Sequence, residues 1–254
     1  MKHMMDIKYD CRWSNQVDET FIEDFCFVEN EVFNNDYNSL LFKKKYIDNI
    51  YGDSVLSVVY IDGVPSAARA LWRNDIEGRE AYQPGDTCVL DICRGKGIFS
   101  EMTRLTVSML KPEAIIYNFP NSNSFPGYIK MGWRLVCEYH LVLLLSNKNY
   151  KKEHILDLDE TYANWWLIGN LQIRYIKRGE VYYIVRKYPR PYCYKVISKV
   201  NKEIAFKFKK LKGFALIFYS SQRKTWYNRY FASLRVVSKT RDNLYIPVWK
   251  IDAI

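Results

Sequence analysis

The segment Arg94-Gly95-Lys96-Gly97-Ile98-Phe99-Ser100 combines residue types and spacing suited to holding a phosphate group. Gly95 and Gly97 carry no Cβ, so an anion can approach the backbone closely. The first N–H groups of a helix have no partner inside it and point outward. The helix dipole adds partial positive charge at the same place. Arg94 and Lys96 supply formal charge. The segment lacks the third glycine of G-x-G-x-x-G, which argues against a dinucleotide site. It also lacks G-x-x-x-x-G-K-[ST], so it is no P-loop. The bland alternative is an ordinary strand-to-helix turn.

Such a loop works only between a strand and a helix. Ala81 to Asp91 reads as the strand, with a bulge or break at Pro84-Gly85. Ile98, Met102, Leu105 and Met109 recur at helical spacing and give one buried stripe; Pro112 follows the last apolar residue, Leu110. Upstream, residues 6–13 form a short strand, Val17 to Phe33 and Ser39 to Ile50 two helices, and Ser54 to Ile61 a β-branched strand. Asp62-Gly63 is a hairpin signal, with Val64 to Trp72 as the returning strand. Downstream, Ala114 to Asn118 is a buried strand, Asn121 to Met131 contains a helix after Pro126, and Trp133 to Leu145 is a long strand. This order is mixed α/β.

Beyond it, Leu156 to Gly169 reads as a hinge, and Leu171 to Ile176 with Val181 to Val185 as a hairpin around Arg178-Gly179-Glu180. Further strands are expected at Tyr192 to Ile197, Phe214 to Tyr219, Ser233 to Val237 and Leu244 to Trp249, with a helix over Lys199 to Leu211. The strand-rich order is compatible with a second, diverged copy of the first fold. The division expected from sequence is 1–150 and 151–254.

The composition, 48% hydrophobic over 254 residues, supports a sizeable core and one large or two smaller domains. Met1 to Asp6 is polar and no signal peptide, and the longest apolar run, Leu141 to Leu145, is far too short to span a bilayer. The six cysteines form no C-x-x-C pair. That scatter reads as reduced thiols in a cytoplasmic protein, with no metal site. Residues 1–150 hold 16 Lys/Arg against 20 Asp/Glu, so the second half, with 22 against 8, carries the excess behind the net charge of +10. A basic, tyrosine-rich half suits an anionic partner or a solvated surface; charge alone selects no site, and nucleic acid is not expected. Arg174, Arg186, Arg223 and Arg229 are candidate anion binders there, and no motif chooses among them.

Three elements in order resemble the GNAT family of acyl-CoA-dependent N-acyltransferases. Val89-Leu90-Asp91-Ile92-Cys93-Arg94-Gly95-Lys96-Gly97-Ile98 is similar to the family's pyrophosphate loop. Ile116 to Ser124 is similar to its next strand and Asn-bearing loop, and Tyr128-Ile129-Lys130-Met131-Gly132-Trp133 to its Tyr-x-x-x-Gly-Phe element. The pairing of Gly-Lys-Gly-Ile-Phe-Ser with Phe-Pro-Asn-x-Asn-Ser-Phe-Pro-Gly looks like a bacterial subgroup. Residues 50–145 carry the resemblance. It departs at Phe99, where the family has a small residue, and at Asp91, where proline is common. Phe99 must therefore point inward to leave the phosphate site clear.

The resemblance implies a mixed, mostly antiparallel sheet flanked by helices, acetyl-CoA as donor and a small-molecule primary amine as acceptor, with a nucleotide-linked amino sugar as its finer form. The amides of Arg94, Gly95, Lys96, Gly97, Ile98, Phe99 and Ser100 would hold the diphosphate. The edge of the strand at Val89 and Leu90 would pair with the pantetheine and polarise the thioester carbonyl. Asn121 would bond the pantetheine, and Tyr128 would protonate the departing thiolate. Gln83 stands near the position of the family's glutamate and cannot take a proton. Asp86 and Asp91 are the nearest carboxylates, and Glu138 and His140, two apart, share one strand face. Ordered water could remove the proton without any of these. Cys88 and Cys93 read as core thiols. In the resemblance's terms 1–150 is the coenzyme-binding domain, and 151–254 contributes to the acceptor site. The competing class is a non-catalytic CoA-binding module whose basic half binds nucleic acid or an anionic membrane surface. The sequence leaves the oligomeric state open.

Overall fold

The computed structural model describes residues 5–143, 158, 160–221 and 234–240. Their contacts divide the chain into two compact units. The first comprises residues up to Asn118, Ser124–Arg134 and 238–240; the second comprises Phe119–Asn123 and the described residues from Leu135 to Val237.

In the first unit the strands β1 (Ile7–Trp13), β2 (Val55–Ile61), β3 (Val64–Arg73), β4 (Ala81–Val89) and β5 (Ile115–Asn118) lie in sheet order 1-2-3-4-5. The first four are antiparallel neighbours, and β5 runs parallel to β4. The expected Asp62-Gly63 turn joins β2 to β3, with both residues at positive φ. Helix α1 (Glu19–Phe33) begins where the Asp18 side chain accepts from the Phe21 amide at 2.9 Å, a cap worth about 1 kcal/mol. Its stripe of Phe21, Ile22, Phe25 and Val28 is buried, each contributing roughly 1.5–3 kcal/mol. The short α2 (Ser39–Phe42) continues into a wider turn over Lys43–Ile47. Phe25, Phe42 and Tyr46 meet edge to face there. Helix α3 (Ile98–Ser108) buries Ile98 and Met102 among Val59, Ile61, Ala67 and Cys93, and α4 (Phe125–Lys130) carries Tyr128.

The second unit is a sheet of β6 (Arg134–Leu143), β7 (Ile173–Arg178), β8 (Val181–Lys187), β9 (Cys193–Val200), β10 (Leu216–Ser221) and β11 (Leu234–Ser238), in order 11-6-10-9-8-7. Its three-stranded antiparallel meander leads through a helix to a strand parallel with the last of the three, the same connection that joins β4 to β5. Two expectations are corrected. The stretch read as a hinge is helical at Glu160–Tyr162 (α5) and Ala163–Leu167, with Tyr162, Ala163 and Leu167 buried. The helix expected over Lys199 to Leu211 is only Lys202–Phe206 (α6), because β9 runs on to Val200 and Asn201 caps the helix by accepting from Ile204 N at 2.8 Å. The strand expected at Leu244 to Trp249, and Arg223 and Arg229, lie outside the described residues.

Candidate active site

β4 and β5 pair only at Ala81–Ile115 and Tyr82–Ile116. Beyond Tyr82 they part, leaving one edge of β4 open as far as Val89. The Leu90 amide donates to the Ser66 carbonyl of β3 at 3.0 Å. Successive amides along a strand face opposite edges, so Val89 N–H is turned toward the side β5 has left. Either residue was expected to polarise a carbonyl; Leu90 is occupied and Val89 is the one aimed at the fork.

After a short turn at Asp91–Cys93 the chain reaches the glycines. Gly95 and Gly97 have φ of 77° and 78°. A Cβ on either would meet nothing within 4 Å, so it is the left-handed backbone and not crowding that requires glycine. Gly97 caps α3, and its carbonyl accepts from Ser100 and Glu101, both at 3.1 Å. The amides of Gly95 through Phe99 donate to no protein group among the described residues. They cluster at the positive end of an 11-residue helix. The side chain of Ile98 is buried beneath them, while Lys96 and Ser100 are exposed. Arg94 donates through Nε to the Val89 carbonyl at 3.3 Å and pairs with Asp91 at 2.8 Å. The Asp91 side chain is 87% exposed, so Asp91 is a surface partner of Arg94 and has no buried setting for proton transfer.

Phe99 points inward, as the loop requires, and meets Tyr128 edge to face with ring centroids 5.5 Å apart. Gly127 makes room: a Cβ there would lie 3.0 Å from Phe99 Cε1. Tyr128 is 2% exposed. Its hydroxyl accepts from Arg69 Nη2 at 3.0 Å, which leaves its own proton to donate elsewhere. Arg69 is 0% exposed, with its guanidinium over both the Phe99 and Tyr128 rings, at 5.3 and 5.7 Å. Its Nε and Nη1 have no hydrogen-bond partner among the described residues. Sequence reasoning missed Arg69; the signal was one cation inside the otherwise small and apolar run Ala67-Ala68-Arg69-Ala70-Leu71.

A second buried polar group lies where β4 bulges against β3, between Ala68 and Ala70. Asp86 sits there at φ 44°. It accepts from Lys45 Nζ at 2.9 Å and from the Tyr46 hydroxyl, and Lys45 lies over the Trp72 ring at 5.2 Å. Lys45 and Tyr46 were not foreseen, because only the wide turn after α2 brings them to β4. Both Asp86 oxygens are engaged, so it locks the bulge. Gln83 is buried and accepts from Asn74 at 3.0 Å. Burial, with Asp86 nearby, pushes the Cys88 thiol well above its ordinary range, so it is a core thiol and no nucleophile.

The remaining expected residues belong to the second unit. Asn121 accepts from the Asn123 amide at 3.0 Å, an Asx turn. His140 is 7% exposed, with Nε2 3.8 Å from Glu138, whose other oxygen lies 3.3 Å from Arg235 Nε.

This architecture has known counterparts. A conserved protein of unknown function from Enterococcus faecalis V583, proposed as an N-acyltransferase, superposes with a TM-score of 0.58 at 12% identity, over 92% of this chain and 72% of that one. The fold is that of the GNAT N-acyltransferases. A GCN5-related N-acetyltransferase from Anabaena variabilis matches at 0.55 and 11% identity, over 92% and 72% of the two chains. A Pyrococcus horikoshii protein proposed to be an acetyltransferase matches at 0.52 and 12% identity, over 99% and 96%. No protein-family model and no curated protein matches the chain in sequence. Among the described residues, no group of His, Cys, Asp and Glu is arranged to hold a metal ion, and no helix is long and apolar enough to cross a membrane.

Proposed function

We propose that the protein is an acyl-CoA-dependent N-acyltransferase of the cytoplasm, using acetyl-CoA to acylate a primary amine on a small molecule. The observation that carries this reading is the coincidence of the β4–β5 fork with the unpartnered amides that follow it. An acyl-CoA would supply the activated thioester. Gly95 to Phe99 offer amides to its diphosphate, and Arg94 and Lys96 screen the charge. The open edge of β4 would receive the pantetheine as an added strand, and Val89 N–H would be the donor available to a thioester oxygen, where negative charge grows during attack. Tyr128 gives its phenolic proton to the departing thiolate, its oxygen held by Arg69. Attack is direct: Cys88 is buried and protonated. Asp86 is engaged in an ion pair, and release of the amine's proton to ordered water needs no base from the chain.

The motif pairing that looks like a bacterial subgroup supports, as the finer form of this reading, a nucleotide-linked amino sugar as acceptor. The deciding experiment follows thiol release from acetyl-CoA with a panel of polyamines and amino sugars. Amine-dependent release supports the reading. CoA binding without turnover on any amine favours a non-catalytic CoA-binding module.

A further inference from the structure

The second unit has its own parallel fork, and charge is gathered there. β9 and β10 pair at Cys193–Leu216, Tyr194–Ile217 and Lys195–Phe218 and then part. Lys195 is thus the last residue of β9 held against β10. On its other side it stands directly opposite Arg186 of β8. Lys195 lies two residues from Cys193, so both project from one face of the sheet. That face carries the apolar cluster of Leu141, Cys193 and Phe218, edged by Tyr188. Two cations are therefore placed side by side next to an apolar floor, where like charges opposed across strands repel.

A cavity of about 310 Å³ opens over the pair, with His140, Lys187, Tyr188 and Ser220 also on its walls. Among the described residues that line it there is no carboxylate, and among the described residues none offsets the charge of Arg186 or Lys195. The contact made by Arg186 is through Nε to Gln172 Oε1, at 3.4 Å. Burial pushes both cations below their ordinary pKa, and the neighbouring Arg186 charge helps bring Lys195 down to about 8. A half-buried cation pair at the edge of an apolar floor is costly without a counter-ion and is relieved by an anion seated between its members.

We propose that this cavity is a binding site for a phosphomonoester, its phosphoryl group bridging Arg186 and Lys195 and its organic body lying along Leu141 and Tyr188. A phosphoryl dianion matches two cations in charge, and the guanidinium fork suits its paired oxygens. The cavity is several times the volume such a group fills, which leaves room for the ester. The site does not depend on the acyl-transfer reading.

The test titrates the full chain with nucleoside 5′-monophosphates, hexose 6-phosphates and inorganic phosphate at constant ionic strength, by calorimetry and thermal unfolding. The phosphates of coenzyme A could also be mimicked at the α3 loop, so the readout is the difference between wild type and the variants Lys195→Met and Arg186→Met. At least one phosphomonoester is expected to bind tenfold or more tightly than inorganic phosphate. Each variant should weaken it at least tenfold. Lys195→Met should also raise the Tm of the free protein, since it removes an uncompensated cation. Should a Met variant fail to fold, Lys195→Arg keeps the charge and should keep binding, whereas Lys195→Gln should lose it. Equal affinity for inorganic phosphate, absence of binding, or binding that the charge-removing variants leave intact overturns the assignment.

Discussion

Arg69 Nη2 lies 3.0 Å from the hydroxyl of Tyr128, and both residues are buried. The phenol oxygen therefore accepts from a cation, and its proton is turned away from that cation. If this pair protonates the leaving thiolate, Tyr128→Phe should lower kcat by about 100-fold or more with little change in the KM for acetyl-CoA. Arg69→Met should cost a similar factor. The double variant should fall little further, because both changes remove one function. Steady-state kinetics on the four proteins decides it; additive losses would separate the two residues.

Gly97 caps α3 at φ 78°. Gly97→Val forces a β-branched residue into the left-handed region at roughly 1–3 kcal/mol, and the local backbone must shift to relieve it. CoA should then no longer raise the Tm. Gly97→Asn, which tolerates this conformation better, should keep part of the protection. Unchanged protection in the valine variant would remove the diphosphate from this loop.

Lys45 and Asp86 are an ion pair with side chains only 6% and 13% exposed. Asp86→Asn keeps an acceptor for Tyr46 and a residue that tolerates positive φ, so it isolates the charge. The lone buried cation should cost about 3 kcal/mol in urea unfolding. Adding Lys45→Met should recover part of that loss. A single variant as stable as wild type would show the pair to be solvated.

Burial raises the Cys26 thiol to about 11 and the Cys88 thiol higher still. At pH 8 iodoacetamide should spare both and label the half-exposed Cys11 and Cys137 first, as peptide mass mapping would show. A thiol raised in the fold stays protonated there and ionises on unfolding. The stability it contributes is complete below about pH 8.5 and is lost as the pH climbs toward the folded value. Cys26→Ala should flatten the fall in stability between those limits.

The sequence by itself determined what is local. Asp62-Gly63 made its hairpin, the stripe from Ile98 to Met102 made α3, and Gly95 and Gly97 set a left-handed turn before it, since these depend on near-neighbour sterics and spacing. The resemblance to a phosphate-holding loop implied that Phe99 faces inward, and it packs against Tyr128. Residues far apart in the chain were a different matter. The meeting of Arg69 with Tyr128, of Lys45 and Tyr46 with Asp86, and of Arg186 with Lys195 follows from strand register and from how a helix crosses a sheet. Register also took Leu90 N–H for Ser66 and turned Val89 toward the fork. A one-residue change in pairing would send each of these groups to the opposite side, and no short stretch of sequence encodes that choice. Only the packed sheet, by burying one face and exposing the other, decides it.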